Sequence, residues 1–299
     1  MFCDIIERGV HFNIRGDRVK KIIVFIMAIS LFCLAGCSEQ SVTEPKTEAT
    51  SYNHLRQVSL DDISEQTILH EGLTEILPDL KSWVMNSELS GKEYLQWGQF
   101  EKVLQIREFK NQDLARDYTE TTAFHVITTD MIVVCPRFFS IESGDQRIYS
   151  LMHELMHSLV GTGGSGAESS MNLFIEGITD YLTFVVLSGT DLEEYDLTYK
   201  NEIIVISWLA SLYGMDTIVE SICKGEILDF IDSQSELGDG SKIHEDLATI
   251  DHSTDQEEVK AAILSEMEIL VEISKNSPNA DSTWRLLEQF RQSYAPYLN

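Results

Sequence analysis

The sequence predicts an α+β protein that is predominantly helical. Over most of the chain, apolar residues recur at the three- and four-residue spacing of amphipathic helices. One run, AFHVITTDMIVVCP within 121–136, is instead rich in β-branched and aromatic residues, which predicts a strand pair or one strand with a turn. We therefore expect a small sheet, then two central helices, then a helical C-terminal part.

Composition narrows the range of functions. The chain has 299 residues, enough for one large domain or two small ones, and its 43% hydrophobic content supports a sizeable core. Its 22 basic and 49 acidic residues give a formal net charge of -27. Such a surface repels the phosphates of nucleic acids, so we expect no nucleic-acid partner.

The N-terminal region has the features of an export signal. The apolar run 22–35 (IIVFIMAISLFCLA) follows two lysines and is shorter than the ~20 residues that a membrane-spanning helix needs. We therefore interpret 1–36 as a signal peptide, within which the mixed charges of 1–18 suggest a misassigned start. The polar segment 37–52 has the composition of a flexible tether.

The end of this signal, Leu34-Ala35-Gly36-Cys37, resembles the lipobox of bacterial lipoprotein signal peptides. The resemblance implies that Cys37 is the first mature residue and carries a lipid, which would hold the protein at the extracytoplasmic face of a bacterial cell membrane. The alternative is an uncleaved anchor helix.

The body of the chain divides into a mainly helical N-terminal part, 53–120, and a second part, 121–299. In the first part, apolar residues at helical spacing include Phe100, Val103, Leu104 and Ile106. In the second part, the stretch 229–255 contains enough Gly, Ser and Asp to be interpreted as a loop region. The helices expected in the second part are 145–160, 170–187, 199–213, 215–223, 257–273 and 281–294.

The first central helix carries the pattern HExxH at 153–157. Histidines at i and i+4 share one helical face, so His153 and His157 can bind one Zn²⁺ while Glu154 lies beside the open coordination position. A third donor, Glu176, lies nineteen residues beyond His157 on the second helix. Asp180 follows one turn later and could accept a hydrogen bond from a ligand histidine.

Together, the HExxH helix and the later ExxxD helix resemble the gluzincin metallopeptidases, the thermolysin-like zincins, over 153–180. The resemblance implies a zincin-like catalytic domain at 121–299, with His153, His157 and Glu176 as zinc ligands. It makes Glu154 the general base and Asp180 a partner of His157. The strand before the HExxH helix would then be an edge strand that pairs with an extended peptide substrate. The third histidine of the metzincin motif is absent.

The activity implied by this resemblance is zinc-dependent peptide hydrolysis, in which Glu154 takes a proton from the attacking water. Such enzymes usually also have a Tyr or His that stabilises the oxyanion. Tyr199, at the start of the next predicted helix, is the first candidate and His244 the second.

Several alternatives remain at this point. The protein could be a surface lipoprotein that binds a solute, cell-wall component or partner without catalysis, or a zinc hydrolase with another substrate. Cys135 and Cys223 could form a disulfide or remain buried thiols. His125, alone in an apolar strand, is interpreted as a satisfied core or edge residue.

Overall fold

The computed structural model describes residues 60–298 except 112, 114, 116, 117, 119, 120, 127, 128, 162–171, 193, 194 and 236–239. The proposed signal peptide 1–36, the candidate lipidation site Cys37 and the tether 37–52 lie outside the described residues.

The N-terminal part alternates short helices with strands. Its helices are α1 (Leu60–Gln66), α2 (Glu71–Thr74), α3 (Leu77–Met85) and α4 (Trp97–Lys102), and its strands are β1 (Thr67–Leu69) and β2 (Gln105–Phe109). The prediction of a helix through Ile106 is wrong, because α4 ends at Lys102 and Ile106 lies in β2. Ile106 is fully buried there, so its apolar character reflects burial in the sheet.

A hairpin completes a four-stranded mixed sheet. Strands β3 (Ala123–His125) and β4 (Met131–Val134) are antiparallel, which confirms the predicted strand pair. Strand order is β1-β2-β4-β3, with β2 and β4 parallel and the other pairs antiparallel. Strand β3 therefore lies at an edge of the sheet, and the sheet combines residues on both sides of residue 120.

The two faces of the sheet pack into different clusters. Met131 and Val133 of β4 belong to a small cluster with Phe124, whereas Ile132 belongs to the main core. Side chains of a strand alternate between faces, and Ala123 also belongs to the main core. His125, two residues further along β3, therefore lies on the main-core face.

The predicted central helices are present. A short helix, α5 (Pro136–Ser140), leads into α6 (Gly144–Val160), which is followed by α7 (Asn172–Leu187). Nearly every residue of α7 from Leu173 onward is buried, so this helix lies in the middle of the protein.

The C-terminal part is helical: α8 (Lys200–Tyr213), α9 (Met215–Lys224), α10 (Ile227–Gln234), α11 (Gly240–His252), α12 (Gln256–Lys275), a 3₁₀ turn (Ala280–Ser282), α13 (Thr283–Ser293) and α14 (Ala295–Leu298). The interpretation of 229–255 as a loop region is wrong, because α10 and α11 occupy most of it. Ile243, Leu247 and Ile250 recur at helical spacing and are buried, which outweighs the polar composition around them.

One open alternative is settled by the described residues. Cys135 and Cys223 are both buried free thiols, so they do not form a disulfide. No single described helix has the length and apolar character to cross a bilayer, and α8 and α9 meet that test only as a pair bent by 120°.

Candidate metal centre

Helix α6 presents the first two candidate ligands to the protein interior. The helix is capped at its N-terminus by Ser143, whose side chain accepts a hydrogen bond from the backbone N–H of Gln146. Its C-cap is Gly161, whose φ of 75° favours glycine. Between these ends, the His153 and His157 rings lie one turn apart, with centroids 4.8 Å from each other. His153 is buried and His157 is half-buried.

Helix α7 runs antiparallel to α6 and supplies the third candidate ligand. Glu176 contacts both His157 and His153, whereas Asp180, one turn later, contacts His153 and Tyr149. The contacts thus move toward the start of α6 as α7 proceeds. This is the reversal that brings a carboxylate nineteen residues beyond the HExxH motif back to its histidines.

Three donor atoms converge between these helices. Glu176 Oε2 lies 3.1 Å from His153 Nε2 and 3.3 Å from His157 Nε2, and the two Nε2 atoms are 3.1 Å apart. All three atoms lie within 4.8 Å of one another, which makes them a group that could bind a metal ion. Among the described residues, no other group of three His, Cys, Asp or Glu side chains meets this criterion.

Asp180 is a partner of His153 and not of His157, which corrects the assignment implied by the resemblance. Its Oδ1 lies 2.6 Å from His153 Nδ1. His157 Nδ1 instead lies 3.4 Å from Thr179 Oγ1, and that hydroxyl donates to the carbonyl of Ile175. Because α7 is antiparallel to α6, a residue one turn after Glu176 lies nearer to His153.

The Asp180 carboxylate is fully buried and accepts several hydrogen bonds. The hydroxyl of Tyr149 donates to Oδ1, in addition to the contact with His153. The backbone N–H groups of Thr198 and Tyr199 donate to Oδ2 at 2.9 and 2.8 Å. One carboxylate thus connects α6, α7 and the start of α8, and it fixes the orientation of His153 from behind.

Glu154 lies between the two histidines and the sheet. Its Oε2 accepts a hydrogen bond of 2.8 Å from the backbone N–H of His125, on the edge strand β3. Glu154 is not one of the three converging donors. Its carboxylate therefore lies beside the candidate ligands without being one of them.

The titration of these groups follows from burial and from their neighbours. Burial raises the pKa of Glu154, and the nearby His157 and His153 oppose that rise only in part. Burial also disfavours the charged forms of His153 and Glu176. The neighbouring Asp180 and Glu176 nevertheless raise the pKa of His153 well above its usual value, and the two histidines lower the pKa of Glu176.

The two candidates for oxyanion stabilisation lie in different places. The ring of Tyr199 stacks on that of His153, with 5.7 Å between centroids and 18° between planes. The structure thus brings Tyr199 to the metal centre. His244 lies half-buried on α11, where burial lowers its pKa and Glu245 of the same helix acts in the opposite direction.

Sequence reasoning missed two residues of this site. Tyr149 precedes His153 by one helical turn, so its position on the same face was visible in the sequence. The interpretation of His125 as a core or edge residue is confirmed, because β3 is an edge strand, but the ring is not fully satisfied, since its buried Nε2 has no hydrogen-bond partner among the described residues. Only the position of β3 against α6 reveals that His125 belongs to the site.

No model of a known protein family matches the chain, and neither does any curated protein or solved structure at a significant level. The interpretation of the metal centre therefore rests on its own residues.

Proposed function

We propose that the protein is a zinc-dependent peptidase, with His153, His157 and Glu176 as the metal ligands and Glu154 as the general base. The observation that carries this proposal is the convergence of three donor atoms beside a carboxylate that is not itself a donor. A purely structural zinc site has four protein ligands, whereas a catalytic one has three and an open position.

The donor set supports zinc as the metal. Two imidazole nitrogens and one carboxylate oxygen are ordinary zinc ligands. Tetrahedral zinc with bonds of about 2.0–2.1 Å has neighbouring donors about 3.3–3.4 Å apart. The three separations here are 3.1, 3.1 and 3.3 Å, so little rearrangement is needed to reach that geometry.

Each residue of the centre has a role in the proposed reaction. Bound zinc would polarise the scissile carbonyl and lower the pKa of water. Glu154 would accept the proton of the attacking water and pass it to the leaving amine, and its raised pKa suits a group that both takes and returns a proton. Asp180 would keep His153 in the tautomer that presents Nε2 to the metal.

The free edge of β3, which no other described strand covers, supports a peptide as the substrate class. Extended peptides add to exposed sheet edges through main-chain hydrogen bonds. In the β3–β4 hairpin, Val126 N–H donates to the Met131 carbonyl and Cys135 N–H to the Thr122 carbonyl. Polar groups of alternate residues point to opposite sides of a strand, so those of Ala123 and His125 point away from β4. The His125 N–H reaches Glu154, which places this free edge beside the metal centre.

The location that we propose is the outer face of a bacterial cell membrane, with a lipid on Cys37 as the anchor. Support comes from the sequence alone, namely the apolar run 22–35 and the lipobox-like residues that end at Cys37. The tether 37–52 would hold the catalytic body away from the bilayer.

Metal content and peptide cleavage test this proposal together. We expect the full-length chain, purified without chelator, to contain one equivalent of zinc and to cleave members of a peptide library. The Glu154→Gln variant should keep the zinc and lose cleavage, because it removes only the proton acceptor. The Glu176→Ala variant should lose both, because it removes a ligand.

Two results would contradict the proposal. One is a parent protein without zinc, and the other is cleavage that persists in Glu154→Gln. The exposed Glu93 offers a matched control, since Glu93→Gln removes the same charge at a residue that is not part of the metal centre and should change neither quantity.

A further inference from the structure

The proposed mechanism gives no role to the side chain of His125, although the backbone of this residue contacts the proposed general base. Its backbone N–H lies on the free edge of β3 and donates to Glu154. Its side chain lies on the sheet face that packs against the main core, the face to which Ala123 and Ile132 also belong. Both the backbone and the ring of this residue therefore face the region occupied by α6.

The ring of His125 has an unmet hydrogen bond. Its Nε2 is buried and has no partner among the described residues. A buried polar atom without a partner destabilises a protein, so such atoms often mark a place where a ligand binds. The backbone N–H of the same residue donates to Glu154 of the HExxH motif at 2.8 Å, which places His125 beside the metal centre.

The ring is a neutral group in the absence of a ligand. Burial, with a further contribution from His157, lowers the pKa of His125 to about 4. A neutral imidazole can form a hydrogen bond with an uncharged main-chain amide or carbonyl group.

We propose that His125 is a substrate-binding residue, whose Nε2 hydrogen-bonds a main-chain polar group of a peptide bound along the free edge of β3. This inference rests on the proposed peptidase function and adds a specific contact to it. The peptide would pair with the strand through backbone hydrogen bonds, and the imidazole would hold the same peptide close to the bond that is cleaved.

Two hydroxamates test this contact separately from catalysis. Acetohydroxamate can bind only the metal, whereas a dipeptidyl hydroxamate binds the metal and also extends along the substrate site. The informative variant is His125→Phe, which keeps an aromatic ring and the backbone N–H but has no ring nitrogen. We expect this substitution to lower the affinity for the dipeptidyl hydroxamate about 10-fold and to leave the affinity for acetohydroxamate unchanged.

Two further measurements distinguish binding from a structural role. His125→Gln, which retains hydrogen-bonding groups, should recover part of the affinity for the dipeptidyl hydroxamate. The unfolding temperature of His125→Phe without ligand should equal or exceed that of the parent, because an unpartnered buried atom has been removed. If the substitution instead caused misfolding, the unfolding temperature would fall and the affinity for both hydroxamates would decrease.

The outcomes separate this inference from the proposed function. Equal affinity of the parent and His125→Phe for the dipeptidyl hydroxamate, in a parent that cleaves peptides, would overturn the role of His125 alone. A parent that binds neither zinc nor either hydroxamate would overturn the peptidase function and the role of His125 together.

Discussion

Asp180 shows how one buried residue can control the geometry of a metal ligand. It is fully buried, accepts hydrogen bonds from the Tyr149 hydroxyl and from two backbone N–H groups, and lies 2.6 Å from His153 Nδ1. A carboxylate held by so many donors cannot rotate freely. His153 therefore has a fixed orientation before any metal binds, which lowers the entropic cost of binding.

We expect Asp180→Asn to lower zinc affinity by about 10–100-fold, the usual effect of losing a partner of a ligand histidine. The amide is nearly the same size but removes the negative charge and one acceptor oxygen. Tyr149→Phe is a matched comparison, since it removes one donor and leaves the contact between Asp180 and His153. Its effect should be smaller. Competition with a zinc-binding dye measures both, and equal affinities in the parent and Asp180→Asn would contradict this role.

At the scale of elements, the contact between α7 and α8 determines where Glu176 lies. Gly177, the next residue, is packed so closely on α8 that an added Cβ would lie 2.4 Å from Glu202 Cβ and 2.9 Å from Ile206 Cδ1. Only glycine allows the two helices to approach this closely. Helix α7, which supplies the third ligand, is thus held in place by its close contact with α8.

The Gly177→Ala substitution should therefore destabilise the protein, by about 1–3 kcal/mol, because the two helices must separate to accept the methyl group. The control is Gly98→Ala in α4, where an added Cβ meets no atom within 4 Å and the substitution should be neutral or stabilising. Chemical denaturation of the two variants measures the difference. Equal unfolding midpoints for Gly177→Ala and Gly98→Ala would show that the contact between α7 and α8 adapts.

The elements differ in how well the sequence predicted them. The hairpin and helices α6 and α7 were predictable because their patterns are long and local. Ile106 was assigned to a helix, since short apolar runs do not distinguish a helix from a buried strand. Helix α11 was missed because Gly, Ser and Asp between 229 and 255 obscured an apolar spacing that only its packing against the rest of the core makes evident.

The same distinction applies to the metal centre. HExxH and Glu176 could be predicted because ligand spacing along helices is a local property. The partner of Asp180 could not, because it depends on the direction in which α7 crosses α6. His125 could not be assigned either, since nothing local shows which face of β3 lies against the HExxH helix.

At the scale of the whole molecule, acidic residues that are not among the three metal-binding side chains are also buried. Glu202 on α8 and Glu266 on α12 are almost fully buried, and none of their carboxylate oxygens has a hydrogen-bond partner among the described residues. Asp246 on α11 is also buried and pairs with Lys242. In a chain with a formal charge of -27, this burial of acidic groups makes stability sensitive to pH.

Glu202 shows the direction of this sensitivity. Burial, together with the Asp251 carboxylate, raises its pKa from 4.5 to about 10. The unfolded chain releases this proton above pH 4.5, whereas the folded protein keeps it until about pH 10. The stability contributed by neutral Glu202 is therefore complete below pH 4.5 and is lost progressively as the pH rises toward 10.

The Glu202→Gln variant should remove this part of the pH dependence, because glutamine is neutral in both states. Thermal unfolding from pH 5 to pH 9 should show nearly equal unfolding temperatures for the parent and the variant at the acidic end. The variant should become increasingly more stable than the parent as the pH rises. Glu93→Gln removes an exposed carboxylate, and its unfolding temperature should change with pH in the same way as that of the parent. A Glu202→Gln variant that is less stable than the parent at pH 9 would mean that Glu202 is ionised in the folded protein and bound to a cation.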